Sequence, residues 1–258
     1  GPCITPYVRA LKEERPVIVV RADARIASIY RYQFRAIEHV DTVRAYHHAD
    51  HPLHMAAPPR QGFHTPTRGS TGHDAAQRSL LTGRDRMIAT AVRRAHEIAG
   101  SDAWILVGGI PRVVARLTDE LLEIAPGRVM PLDSLDVHSS DADMAAAARA
   151  GASVLRNRAD RASLETIVEL AGAHGLGAVG TDDAHIALEG ACVRELYLTQ
   201  QYRLDHAADA EGLVRAAIDQ DAGVEEVSGS AADYLADQGG IAVSLRFRPA
   251  TIEASVQM

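Results

Sequence analysis

The chain has 258 residues, 47% of them hydrophobic and 24% charged, with a net charge of −7. This length allows one large or two small domains with real cores, and the negative charge excludes a generally basic nucleic-acid binder while leaving room for a local basic patch. The two cysteines, Cys3 and Cys192, cannot build a disulfide framework or a zinc site by themselves.

No run of about 18 apolar residues and no signal-peptide pattern is present, so we expect a cytoplasmic protein with no membrane partner. Lys12 is the single lysine among 27 basic residues. The arginines are scattered and alanine is abundant, as in a GC-rich coding sequence. Arginine content alone therefore assigns no phosphate site.

Residues 1–15 read as an N-terminal remnant or tag-proximal segment, with Pro2, Pro6 and Pro16 around one short amphipathic turn. Val17–Ala22 reads as a buried strand and Arg25–Arg31 as its hairpin partner, with a third strand over Phe34–Val43. A polar stretch rich in His, Pro, Gly and Arg follows, from Arg44 to His73. A long helix is expected over about Asp74–Ala99. Ala103–Val107 then forms a short strand ending at Gly108-Gly109. Pro111 opens a helix to about Glu123, and Val129–Leu132 forms a last strand.

An alanine-rich helix over Asp141–Asn157 and a second over Leu164–His174 come next. Gly175–Gly180 is a glycine-edged strand. The stretch "GTDDAHIALEGACVRELYLT", Gly180 to Thr199, is a helix running into a strand. Asp182 or Asp183 caps it, Ala184, Ala187, Leu188 and Ala191 share one face, and Gly190 suits the left-handed position at its end. Glu211–Ile218 is a helix and Gly223–Val227 a strand. Gly240–Arg248 closes the chain as a strand behind the turn of "SGSAADYLADQGGIAVSLRF", Ser228 to Phe247. The first half is led by a hairpin and the second alternates β and α. We therefore expect two α/β domains, 16–138 and 139–258, joined near Val137.

The wording of two of these stretches resembles a known family. Gly180–Thr199 is similar to the "ALExGAV" helix and following strand of the archaeal and eukaryotic class-1 release factors and of Pelota. Ser228–Phe247 is similar to the Gly-Gly-Ile turn and "ILRF"-like strand that end their C-terminal domain. The chain thus looks like a bacterial member of the archaeo-eukaryotic release factor-like family, a group that also includes Balon, a hibernation factor. The resemblance implies a middle domain of RNase-H-like order followed by an L7Ae-like α/β sandwich. The family usually carries an N-terminal domain as well, so the resemblance implies that the chain is a fragment or has lost that domain. The implied partners are the ribosome, through rRNA and P-site peptidyl-tRNA, and a translational GTPase, with the chain acting as a monomer.

The family's catalytic Gly-Gly-Gln tripeptide corresponds in position to Pro58–Ser79, and no such tripeptide is present here. The nearest pieces are Arg60-Gln61-Gly62, Arg68-Gly69, Gly72 and Gln77. Gln61 and Gln77 are the candidate replacements in a peptidyl-tRNA hydrolase. Pelota also lacks the tripeptide and acts by binding, so the resemblance implies ribosome rescue or hibernation. The stretch itself suits RNA. Arg44, Arg60, Arg68 and Arg78 outnumber Asp50 and Asp74, and His64 and His73 add stacking faces. His47, His51 and Asp50 have metal-ligand chemistry, but Pro52 stops the helix that would align them. No metal or cofactor is expected. The alternative outside the ribosome is a free-RNA-binding module or nuclease resting on the L7Ae-like half, and the nuclease reading would need Asp23, Asp133 and Asp136 in one cluster.

Overall fold

The computed structural model describes residues 14–45 and 72–249, and only the backbone over 72–79. Pro16–Ala152 forms one compact unit, and Ser153–Met258 supplies the body of a second.

The first unit is a five-stranded sheet in the order β3-β2-β1-β4-β5. Its strands are β1 (Val17–Ala22), β2 (Ile26–Gln33), β3 (Ala36–Arg44), β4 (Trp104–Gly109) and β5 (Val129–Pro131). β1, β2 and β3 run antiparallel in turn, whereas β1, β4 and β5 are parallel. This is the RNase-H-like order expected. One face is covered by α1 (Gly72–Ala99) and α2 (Pro111–Ile124). Ile18, Val20, Ile105 and Val107 of the strands meet Met87, Ile88, Ala91 and Ala95 of α1 and Val113, Leu117 and Leu121 of α2 there. The period of two in the strands and of about 3.6 in the helices places these residues on facing surfaces. Truncating one such leucine to alanine costs about 2–5 kcal/mol.

The other face of this sheet is closed by the first turns of α3 (Asp141–Gly172). Contact is close enough to require Gly151. A Cβ there would come within 2.8 Å of Leu106 Cδ1 and 3.2 Å of Met130 Cε. Gly109, φ +121°, lies in a tight strand-to-helix turn, and any side chain on it would collide with the Ala22 carbonyl. That carbonyl instead accepts from Ile110 N at 2.9 Å. The glycine pair is thus a tight strand-to-helix turn.

The second unit has a four-stranded sheet in the order β6-β9-β7-β8. Its strands are β6 (Gly177–Val179), β7 (Val193–Thr199), β8 (Gly223–Val227) and β9 (Ile241–Leu245). Its helices after α3 are α4 (Thr181–Glu189), α5 (Gln200–Asp205), α6 (Ala207–Asp219) and α7 (Gly229–Ala236). Leu196, Leu198, Ile241 and Val243 pack against α4 and α6. Tyr197 and Ala242, of opposite parity, pack with Val227 against Leu164 and Ile167 of α3 and Leu235 of α7. The sheet is therefore buried on both faces, an α/β/α sandwich.

Four sequence expectations change. Asp141–Asn157 and Leu164–His174 are one helix, because Arg158–Ser163 is polar but holds no glycine or proline to break it. α6 begins at Ala207, four residues before Glu211. Gly180 precedes α4 as its N-cap, so Asp182 and Asp183 sit inside the first turn and make no side-chain cap. Gly190 is right-handed, and the left-handed residue is Ala191, φ 50°. Gly190 serves close approach instead, since a Cβ there would lie 3.3 Å from the Pro249 Cβ.

Candidate functional site

β3 runs parallel to β1 and β4, so Arg44 ends at the same edge of the sheet as Ala22 and Gly109. The stretch expected to bind RNA leaves from this edge. His47, His51, Arg60, Gln61, Gly62, His64, Arg68 and Gly69 lie outside the described residues, and the metal reading of the histidines lies there with them. The chain re-enters at Gly72, the first residue of α1, two residues before the start expected from the sequence. His73, Gln77 and Arg78 fall in the first two turns of that helix.

α1 has 28 residues and is about 42 Å long at 1.5 Å per residue. Leu80 and Leu81 are 45% and 44% exposed, and Met87 is the first buried side chain among the described ones of this helix. Asp85 pairs with Arg116 of α2 at the start of the packed region. The N-terminal third therefore carries Gln77 and Arg78 on a helix segment whose described side chains the unit does not bury.

Along the hairpin, a β-bulge between Ile29 and Tyr30 shifts the register by one residue at Val40. The shift sets His39 and Thr42 on one face with Ser28 and Tyr30, and leaves Asp41 on the α1 face. His39 Nε2 and Thr42 Oγ1 lie 2.7 Å apart. The His39 ring meets Tyr30 edge to face at 5.3 Å. Arg21 donates to the Tyr30 hydroxyl at 2.7 Å and to the Ser139 carbonyl at 2.8 Å. On the α1 face Arg94 donates to Asp41 at 3.0 Å, and this bond is the first cause holding the Asp41 carboxyl below its ordinary range.

The nuclease reading is not supported by the carboxylates. Asp23 accepts from Arg25 N and Ile26 N, and Asp136 from His138 N, each closing its own turn. Among the described residues no group of three His, Cys, Asp or Glu can hold a metal ion.

In the second unit the two stretches that carry the family wording meet. Gly180 N donates to the Ile241 carbonyl at 3.0 Å, and Thr199 N to the Gly240 carbonyl at 2.9 Å. Gly239 and Gly240 have φ +93° and +79°, so the Gly-Gly-Ile turn needs glycine at both positions. Thr199 Oγ1 caps α5 by accepting from Tyr202 N. The Tyr202 hydroxyl donates to Asp209 Oδ2 at 2.8 Å and lies 3.1 Å from Thr181 Oγ1. Burial first, then the Asp209 carboxylate, pushes that phenol up, and only the Thr181 bond pulls it down. His185 Nε2 faces Asp209 Oδ1 at 2.8 Å.

The acidic residues Asp205, Asp209 and Glu211 of α5 and α6 have partners within the chain. Asp209 is shared by His185 and Tyr202, Asp205 accepts from Gln201, and Glu211 lies 3.6 Å from Arg215. Beside them a groove of about 350 Å³ runs between α4 and α6, floored by Leu188, Leu213 and Ala216. The periodicity of each helix was legible, but nothing in the sequence signalled the His185–Asp209–Tyr202 link, because it joins three separate elements.

No protein-family model and no curated relative matches the sequence. Solved structures do match. Pelota of Archaeoglobus fulgidus is similar over 96% of this chain and 70% of its own, with a TM-score of 0.52 and 14% identity. A model of ribosome-bound archaeal Pelota with ABCE1 is similar over 90% of this chain and 62% of its own, with a TM-score of 0.56 and 15% identity. Dom34 of S. cerevisiae, a translation termination-like factor involved in RNA quality control and interacting with Hbs1, is similar over 97% of this chain and 68% of its own, with a TM-score of 0.53 and 8% identity. This chain thus spans 62% to 70% of the length of these structures. The match runs through both units, and none of the described helices is long and apolar enough to cross a membrane. The chain therefore has the Pelota fold, in two α/β domains.

Proposed function

We propose that the chain is a Pelota-type translation factor that binds the ribosomal A site and acts in rescue or hibernation by occupying it. The observation that carries this reading is the Pelota fold across both units, joined to a sequence without Gly-Gly-Gln. The segment from Arg44 to Arg78 is the part directed to the peptidyl-transferase centre. Its arginines, Arg44, Arg60, Arg68 and Arg78, meet rRNA or P-site tRNA phosphates, while Gly62, His64, Gly69, Gly72 and His73 follow the RNA surface. The Ser153–Met258 unit is the seat for a translational GTPase, by analogy with Dom34 and its partner Hbs1.

Co-sedimentation with purified 70S ribosomes over a salt series tests this. Binding is expected to be saturable, weakened by salt and competed by A-site tRNA. Replacing Arg60 and Arg68 by glutamate should weaken it and flatten the salt slope. Absence of binding by the unaltered chain overturns the reading.

A further inference from the structure

Gly212 sits where the fold does not need a glycine. It lies in the middle of α6 with an ordinary helical backbone. A Cβ built on it would meet nothing within 4 Å. Gly109 and Gly151, by contrast, are required by contacts inside their unit. A glycine in a helix interior is less stable than alanine by about 1 kcal/mol, and no internal contact offsets that here. Ala208, Gly212 and Ala216 follow one another at intervals of four, so they form one stripe along α6. The stripe lines the groove of about 350 Å³ between α4 and α6, beside Leu188 and Leu213. The missing side chain leaves room there for a backbone from outside to come close.

Charge and shape select the occupant. α4 and α6 together carry six carboxylates and one arginine, Arg215. Arg215 already faces Glu211 at 3.6 Å, and Asp209 is shared by His185 and Tyr202. Asp182 and Glu189 are exposed on the α4 rim, one turn to either side of His185, and Asp219 is exposed one turn beyond Ala216. Among the described residues no arginine or lysine lines the groove. Such a field repels phosphate, so nucleic acid and anionic membrane do not fit. It attracts a cationic protein segment. An apolar floor between two helices, with a wall of small residues, suits a third helix laid along it. The nine residues of α4 are about 13 Å long, the length of about two to three turns of a bound helix.

We infer that the α4–α6 groove receives a basic amphipathic helix of a partner protein. Its apolar side chains rest on Leu188 and Leu213, its backbone passes over Gly212, and its basic residues meet Asp182 and Glu189. This contact does not depend on the ribosomal reading, and either can fail without the other.

The test uses the full chain and a fluorescein-labelled synthetic helix of about 16 residues, with leucines on one face, arginines beside them and alanine elsewhere. Binding is followed by fluorescence anisotropy over a salt series, beside thermal melting and sedimentation velocity of the chain alone. Gly212→Leu fills the groove without changing charge, and Gly212→Ala adds a single methyl group. Asp182→Asn with Glu189→Gln neutralises the rim. Asp233→Asn with Asp237→Asn, at α7, removes the same charge elsewhere. Gly212→Leu and the rim variant are each expected to weaken binding about tenfold, with the α7 variant unchanged and the salt slope flatter for the rim variant alone. Gly212→Ala should melt about 3 °C higher and bind more weakly, which separates the glycine's role in binding from its effect on stability. The same peptide with glutamate in place of arginine should not bind. Failure of the unaltered chain to bind the basic peptide overturns the inference. So does binding that survives Gly212→Leu, or that falls equally in the rim and α7 variants, since the attraction is then general. A dimer of the chain that Gly212→Leu dissociates also overturns it, because the occupant is then a second copy.

Discussion

Ala191 sits at φ 50°, just past α4, where glycine is the usual occupant. Its amide donates to the Leu188 carbonyl at 3.1 Å, and the next amide, Cys192 N, reaches the Ala187 carbonyl at 3.2 Å. The turn is therefore well bonded but carries a methyl group in an unfavourable conformation. Ala191→Gly should raise stability by about 1 kcal/mol, the relief of one left-handed alanine less the added freedom of glycine in the unfolded chain. Urea unfolding measures it, and a fall in midpoint would show that the alanine methyl contributes packing that outweighs the strain. The sequence pointed to Gly190 for this position because a glycine after an amphipathic run is the ordinary signal. The tertiary approach of Pro249 to Gly190, 59 residues apart in sequence, leaves no local trace.

At the scale of elements, α1 and β3 are joined by the Arg94–Asp41 pair at 3.0 Å. The Asp41 carboxyl is held below its ordinary range, first by the Arg94 bond and then by the amide of Thr42, and Arg94 is correspondingly raised. A carboxyl lowered in the folded state adds stability above its unfolded value, about 3.9, and loses it as pH falls through the folded one. The pair is partly exposed, so the effect is small and weakened by salt. Asp41→Asn should melt below the unaltered chain at pH 7, with the gap narrowing as pH falls below the unfolded value of about 3.9. A gap of the same size from pH 7 down through the acid range would assign the loss to packing. The order of the strands was legible because strand alternation is a local property, whereas the short helices α5 and α7 were not expected. The hairpin tip was not, since Phe34 reads as a strand residue and nothing near it carries the usual glycine or asparagine of a two-residue turn. The length of α3 was hidden for a related reason. A polar run suggests a break, yet Arg, Asp and Ala continue a helix when the segments on either side are packed, here at Ala148, Ala152 and Leu155 and at Leu164 and Ile167.

The whole molecule combines a Pelota fold with a sequence that lacks the hydrolytic tripeptide. Glycines before the family's glutamine let backbone pack against RNA and direct an amide at the transition state. Gln77 lies instead in the second turn of α1, where its backbone is committed to helical geometry. Loss of an oriented donor of this kind costs about 10²–10³ in rate. The chain should therefore occupy ribosomes that carry peptidyl-tRNA without releasing the peptide above background. Gln61→Ala and Gln77→Ala should leave both occupancy and that background unchanged. Release of labelled peptide from loaded ribosomes, measured beside co-sedimentation, separates the two activities. Release that saturates with the chain and disappears in either glutamine variant would make it a hydrolase with a rebuilt catalytic segment. Occupancy without release would mean that the fold has kept its seat on the ribosome while the chemistry at its tip has been given up.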